Sequence, residues 1–134
     1  MTASRVIRIV VADPQQIFRD GLKGLLESDP QFVVVGGAAT AAQTMQMVHQ
    51  HDPDVLLLDL AIPEGGGLAV LKTLAAARKQ VRTIALTASV EEDQMLVALR
   101  YGARGVIPKE STTELLFRSI RTVFDDERAS RAAD

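Results

Sequence analysis

The 134-residue chain is predicted to fold as an α/β domain, a doubly wound parallel sheet with helices on both faces. Three observations carry that expectation. Five short aliphatic runs, at residues 6–12, 32–36, 55–58, 82–86 and 104–107, alternate with stretches of helical period. Strand followed by helix, repeated in this way, requires crossover connections, which align successive strands in parallel and cover both sheet faces. The run Val55-Leu56-Leu57-Leu58 is apolar at every position, as befits a strand buried on both sides in mid-sheet.

Taken in order, the first strand leads into a helix whose stripe Phe18, Leu22, Leu25 and Leu26 follows the i, i+4, i+7, i+8 spacing of a core-facing surface. The second strand runs into Gly36-Gly37-Ala38, and Ala41, Met45 and Val48 mark the second helix. After the third strand come Ile62-Pro63-Glu64-Gly65-Gly66-Gly67 and a helix marked by Leu68, Leu71 and Ala75. Met95, Ala98 and Leu99 mark the fourth helix; Leu116, Ile120, Val123 and Phe124 mark the fifth. The pairs Thr40/Gln43, Ser89/Glu92 and Ser111/Glu114 have capping-box spacing, in which two side chains satisfy free backbone donors reciprocally. Residues 125–134 have no apolar face and read as a frayed helix end or linker, leaving residues 5–124 as one domain.

Composition narrows the function classes. A formal net charge of −2 makes no electrostatic case for binding nucleic acid or membrane. The absence of cysteine excludes disulfides and thiol chemistry and fits a cytoplasmic setting. No apolar stretch approaches the roughly 20 residues of a membrane span.

In a parallel sheet the strand C-termini share one edge, where open α/β sheets bind their ligands. Asp13, Asp59, Thr87 and Lys109 follow the first, third, fourth and fifth strands. Two acids, a hydroxyl and an ammonium on one rim suit a divalent cation and a phosphoryl group: a carboxylate attacks phosphorus, and the cations and hydroxyl neutralise or bind its oxygens.

At these residues the chain resembles the receiver domains of two-component response regulators, of the NarL/LuxR-type branch. The resemblance spans residues 5–124 and rests on Ile9-Val10-Val11-Ala12-Asp13, Ile17-Phe18-Arg19-Asp20-Gly21-Leu22 and Phe32-Val33-Val34-Val35-Gly36. It continues through Asp54-Val55-Leu56-Leu57-Leu58-Asp59 with Pro63, Thr87-Ala88, and Gly102-Ala103-Arg104-Gly105 leading to Lys109. It implies a flavodoxin-like (βα)5 sheet of order 2-1-3-4-5. Asp59 would be the phosphoacceptor, Thr87 and Lys109 would bind the phosphoryl group, and Asp13, Asp59 and the Ala61 backbone carbonyl would hold Mg²⁺. It further implies a sensor histidine kinase as donor, a homodimer, and contact with DNA only through an output domain absent from this chain. A phosphorelay component of this kind is not an enzyme in its own right.

The chain departs from the family pattern at three places. The family carries two adjacent acids after its first strand. Read without gaps from Ile17-Phe18-Arg19-Asp20-Gly21, Asp13 matches the first and Pro14 replaces the second; a shifted register puts Ala12 first and Asp13 second. In either register one carboxylate is missing, so Mg²⁺ binding is expected to be weak. Asp13 also has a bland reading, as the N-cap of the first helix with Pro14 at its first position. Val106 stands where the family's fifth strand carries a reporting aromatic, and the glycine loop after Asp59 is unusual. These departures favour an alternative: a pseudo-receiver acting as a phosphorylation-independent interaction or dimerisation module. A flavodoxin-like enzyme lacks support, because no cofactor motif or separate catalytic dyad is present. His49-Gln50-His51-Asp52-Pro53-Asp54 looks metal-like but sits at a helix end, where histidine suits the dipole. Arg118, Arg121, Arg128 and Arg131 read as a solvated face.

Overall fold

The computed structural model describes residues 5–88 and 91–133, with side chains described through residue 126. Strands β1 (Ile7–Ala12), β2 (Phe32–Ala38), β3 (Val55–Asp59), β4 (Arg82–Thr87) and β5 (Gly105–Pro108) alternate with helices α1 (Gln16–Glu27), α2 (Ala41–His51), α3 (Gly66–Ala76), α4 (Glu92–Arg100) and α5 (Thr113–Ala133). The strands form one sheet, ordered β2-β1-β3-β4-β5, with every pairing parallel. This is the predicted doubly wound, flavodoxin-like topology.

The pleat divides the core in two. Ile7, Ile9 and Val11 of β1, Val55 and Leu57 of β3, and Ile84 and Leu86 of β4 face α1 and α5, meeting Leu22, Leu26, Leu116, Ile120 and Phe124. The alternate residues Val10, Ala12, Leu56, Leu58 and Ala85 face α2, α3 and α4, meeting Val48, Val70, Leu71, Leu74 and Ala98. All five residues of β3 are buried, as its uninterrupted apolar run requires.

Helical stripes locate the buried faces but overreach at their margins. Leu25 and Leu99 are exposed, as is Ala75, and α3 instead buries Val70, Leu71 and Leu74. Of the cap pairs, Thr40 behaves as expected: its hydroxyl accepts the Gln43 N–H at 3.1 Å, while Gln43 Oε1 accepts the Ala39 N–H at 2.8 Å. At α5 the cap lies one residue later than expected. Thr112, not Ser111, accepts the first-turn N–H of Leu115, because the helix begins at Thr113. Ser89 lies outside the described residues; α4 starts after Glu91. The C-terminal segment continues α5 as helix to Ala133, past Phe124, the last core residue among the described side chains.

Arg121 corrects the expectation of a solvated arginine face. Its guanidinium lies 4.7 Å from the Phe32 ring centroid, donates to Gln31 Oε1 at 2.8 Å and pairs with the Asp29 carboxylate. The α5 surface is thereby tied to the α1–β2 turn. Arg118 matches the expected pattern: it is exposed and pairs with Glu114 one turn away on its own helix.

Candidate functional site

The strand register steps the four rim residues into one cluster. Ala12 pairs with Leu58, which sets Asp13 beside Asp59. Asp59 pairs with Leu86 and Thr87 with Pro108, so β4 and β5 each reach one residue further along the rim. The Lys109 N–H then donates to the Thr87 carbonyl at 2.8 Å, fixing the lysine backbone against β4.

Both acids are buried, Asp13 fully and Asp59 to 5% exposure. Asp13 Oδ1 accepts the Gln15 N–H at 2.8 Å, and Asp59 Oδ1 accepts the Ala61 N–H at 2.9 Å. Their other oxygens converge on one cation: Lys109 Nζ lies 2.6 Å from Asp13 Oδ2 and 2.8 Å from Asp59 Oδ2. Beyond that ion pair the Asp13 oxygen has no hydrogen-bond partner among the described residues. Two carboxylates so deeply buried would be costly without a counter-charge, and Lys109 supplies it. Burial pulls the lysine pKa down, but hydrogen bonds and Coulomb attraction from Asp13 and Asp59 outweigh it and hold the group above its ordinary value. The ammonium also sits 4.3 Å from the Phe18 ring centroid, a cation–π contact in which Phe18 does more than pack against the core.

Asp13 is not the N-cap of α1. The helix starts at Gln16 behind Gln15, and Asp13 instead closes the short turn ahead of it. Its carbonyl accepts from Arg19 Nη1 at 2.7 Å, and its own N–H donates to Ala38 at 2.9 Å. Pro14 is exposed. Thr87, 6% exposed, shares with Asp59 a cleft of about 410 Å³ lined also by Ala61, Leu68, Asp93 and Val97. All four predicted side chains thus come together, and Asp59 and Thr87 line the cleft.

The loop between β3 and α3 is held by contacts the sequence did not announce. The Pro63 carbonyl accepts the Ala41 N–H at 3.0 Å and Glu64 Oε1 accepts that of Ala42 at 3.1 Å, so this loop caps α2 from outside. Glu64 adopts φ +72° to do so, followed by Gly65 at +102° and Gly66 at +78°. Gly67 is needed for a different reason: a Cβ there would lie 2.8 Å from Leu60 Cα. The histidine segment plays a backbone part, since the His51 carbonyl accepts from Arg8 Nη1 at 2.6 Å. No group of three or more His, Cys, Asp or Glu side chains suited to a metal gathers among the described residues. No helix among them is long and apolar enough to cross a membrane.

The model of the response regulator receiver domain matches residues 9–121. The chain is 34% identical over 122 residues to the oxygen regulatory protein NreC of Staphylococcus epidermidis, covering 90% of this chain and 56% of that protein. It is 31% identical over 118 residues to the DNA-binding transcriptional activator DevR/DosR of Mycobacterium tuberculosis, covering 88% and 54%. The chain therefore spans about half the length of these curated relatives. Among solved structures, the signal receiver domain of NarL from M. tuberculosis superposes with TM-score 0.86 at 28% identity, covering 90% of this chain and 98% of that one. A LuxR-family two-component response regulator from Aurantimonas sp. SI85-9A1 gives TM-score 0.86 at 26% identity, covering 90% and 86%.

Proposed function

The chain belongs to the response-regulator receiver family, NarL/LuxR-type, and from that premise we propose that it accepts a phosphoryl group on Asp59 from a sensor histidine kinase. The observation that carries the reading is the rim cluster, in which Lys109 is charged and paired with Asp59 while Thr87 shares the open cleft. An Asp59 carboxylate oxygen attacks the phosphorus of a phosphohistidine. The new O–P bond makes an acyl phosphate, the P–N bond breaks, and the departing imidazole retains the electron pair. Lys109 balances charge on the phosphoryl oxygens and the Thr87 hydroxyl donates to one of them; positioning and charge are most of what this transfer needs.

Mg²⁺ fits the donor set. The fully buried Asp13 oxygen and the neighbouring Asp59 oxygen, both facing Lys109, are hard ligands, and the Ala61 carbonyl is the third in this reading. When bound, the ion neutralises phosphoryl oxygens. Exposed Pro14 adds no ligand, so binding is weak. The chain acts as an acceptor rather than as an enzyme. The output in this reading is transcriptional, as the relative DevR/DosR is a DNA-binding transcriptional activator, and the chain works as a cytoplasmic homodimer. Pro14 and Val106 favour one second reading, a receiver that signals by contact without phosphorylation.

Intact mass after incubation with acetyl phosphate over a range of Mg²⁺ separates the two. One phosphoryl increment is expected in the wild type and none in Asp59→Asn. Absence of any Asp59-dependent increment would sink the acceptor reading and leave the contact module.

A further inference from the structure

Two helix-to-strand connections meet at the edge of the sheet opposite the rim cluster, and both carry cations. The passage from α3 into β4 contributes Lys79 and Arg82, and that from α4 into β5 contributes Arg104. Pairing of β4 with β5 sets them side by side, and the Arg104 N–H donates to the Thr83 carbonyl at 2.7 Å. Between them lies a cavity of about 340 Å³, within the size range of small-molecule sites. Lys79, Arg82 and Arg104 line it together with the apolar surface of Leu71, Leu74 and Tyr101. Arg82 is only 6% exposed and Lys79 is half-buried. Lys72 brings a fourth cation to the same wall, its ammonium 4.9 Å from the Tyr101 ring centroid. No acidic side chain lines the cavity among the described residues. Asp52 and Asp54 line a second cavity that shares Lys79 and Arg82, and there the Asp54 carboxylate accepts the Arg8 N–H at 2.9 Å. Cations also suit helix C-termini, but the carbonyls of Thr73, Leu74 and Ala75 in α3, and of Val97, Ala98 and Leu99 in α4, already accept backbone N–H groups.

We propose that this cavity binds a small amphiphilic anion, a phosphate, phosphonate or carboxylate group on a compact apolar or aromatic body. The anionic head meets Lys79, Arg82 and Arg104, where guanidinium and ammonium donors make charge-assisted hydrogen bonds. The body lies against Leu71, Leu74 and Tyr101. Neither half suffices alone: a neutral ligand leaves three cations unused, and a bare anion leaves the apolar wall in water. The concentration of positive charge is local, since the chain as a whole carries a formal net charge of −2. A bound anion bridges the C-terminal ends of α3 and α4 through their following turns. Arg82 and Thr87 stand at opposite ends of β4, roughly 16 Å of extended strand apart. The site is therefore distinct from the rim cluster, and the inference stands whether or not Asp59 accepts a phosphoryl group.

The test titrates phenylphosphonate, whose carbon–phosphorus bond keeps it from acting as a phosphoryl donor, into the chain without Mg²⁺, followed by amide resonances. Those of Gln80, Arg82 and Thr83, and of Tyr101, Gly102 and Arg104, should shift together and saturate with one midpoint. Lys79→Gln combined with Arg104→Gln is expected to weaken binding about ten-fold or more, because two charge-assisted contacts are lost. Neither side chain is fully buried, and an unchanged urea midpoint checks that the double variant is folded. Inorganic phosphate, the head group alone, should bind the same amides more weakly. Shifts that scatter over the surface without saturating, or that gather at Asp59 and Thr87 instead, overturn the proposal. Equal affinity of the folded double variant and wild type does so too. Phosphate binding as tightly as phenylphosphonate would also overturn it, because the apolar wall would then contribute nothing. The wild-type titrations stand independently of how the double variant folds.

Discussion

Asp13 at the end of β1 and Asp59 at the end of β3 are held by contacts of the same kind. Each receives a backbone N–H from two residues on and shares the Lys109 ammonium through its other oxygen. Their surroundings differ. Asp13 is sealed between Pro14, Arg19 and the Ala38 carbonyl, whereas Asp59 lines the cleft with Thr87. Access separates them more than charge does: the closed carboxylate is suited to hold a cation, and the open one to meet a reacting phosphorus. The loops that follow are closed by opposite devices, proline after Asp13 and a glycine run after Asp59.

The largest expected effect comes from removing what the two ends share. Lys109→Ala leaves two buried carboxylates facing each other without a counter-charge, a loss of roughly 3 kcal/mol in unfolding free energy. Urea denaturation measures it. Adding Asp13→Asn should recover part of the loss by relieving like-charge repulsion. A loss below about 1 kcal/mol would mean that the carboxylates escape to solvent, contrary to their burial.

The next contrast sharpens the difference between the loops. Gly67→Ala would put a Cβ 2.8 Å from Leu60 Cα, a backbone atom with little freedom to yield. It is expected to cost about 2 kcal/mol and to shift the loop behind Asp59. Pro14→Ala, at the exposed turn after Asp13, should change stability by only about 0.5 kcal/mol, through the unfolded chain. Equal shifts in the urea midpoint for the two variants would break the comparison.

Much of this arrangement was legible in the sequence, for physical reasons that also mark where legibility stops. The apolar run of β3 names a central strand because only burial on both faces tolerates it, and spacing after the strands names the rim residues. That one ammonium bridges both acids was not legible, since strand ends locate backbones and not side-chain tips. Helical period identified the buried sides of α1 and α4 but not how far their neighbours cover them, so Leu25 and Leu99 emerge exposed. Glu64 carries no local signal for its cap on α2, and Arg121 gives none for its tether to a turn at the far end of the chain. Long-range polar contacts have no period to betray them.

That tether provides the smallest test, and a foil to the rim: an ion pair much more open than the one around Lys109. Arg121 and Asp29 retain 37% and 25% side-chain exposure, against 15% for Lys109 and none for Asp13. The Gln31 N–H, and then Arg121, hold the Asp29 carboxyl below its ordinary value of 3.8. A carboxyl depressed in the folded state adds stability that is present above the unfolded value and disappears as pH falls through the folded one. Asp29→Asn should therefore be slightly less stable than wild type at neutral pH, and the gap should close as pH drops below 3.8. Urea midpoints measured from neutral pH into that acid range follow the gap. Solvent screening keeps the effect small. A gap as wide as that of Lys109→Ala would show the exposed pair to be as essential as the buried one, and a gap constant through the acid range would remove Asp29 ionisation as its cause.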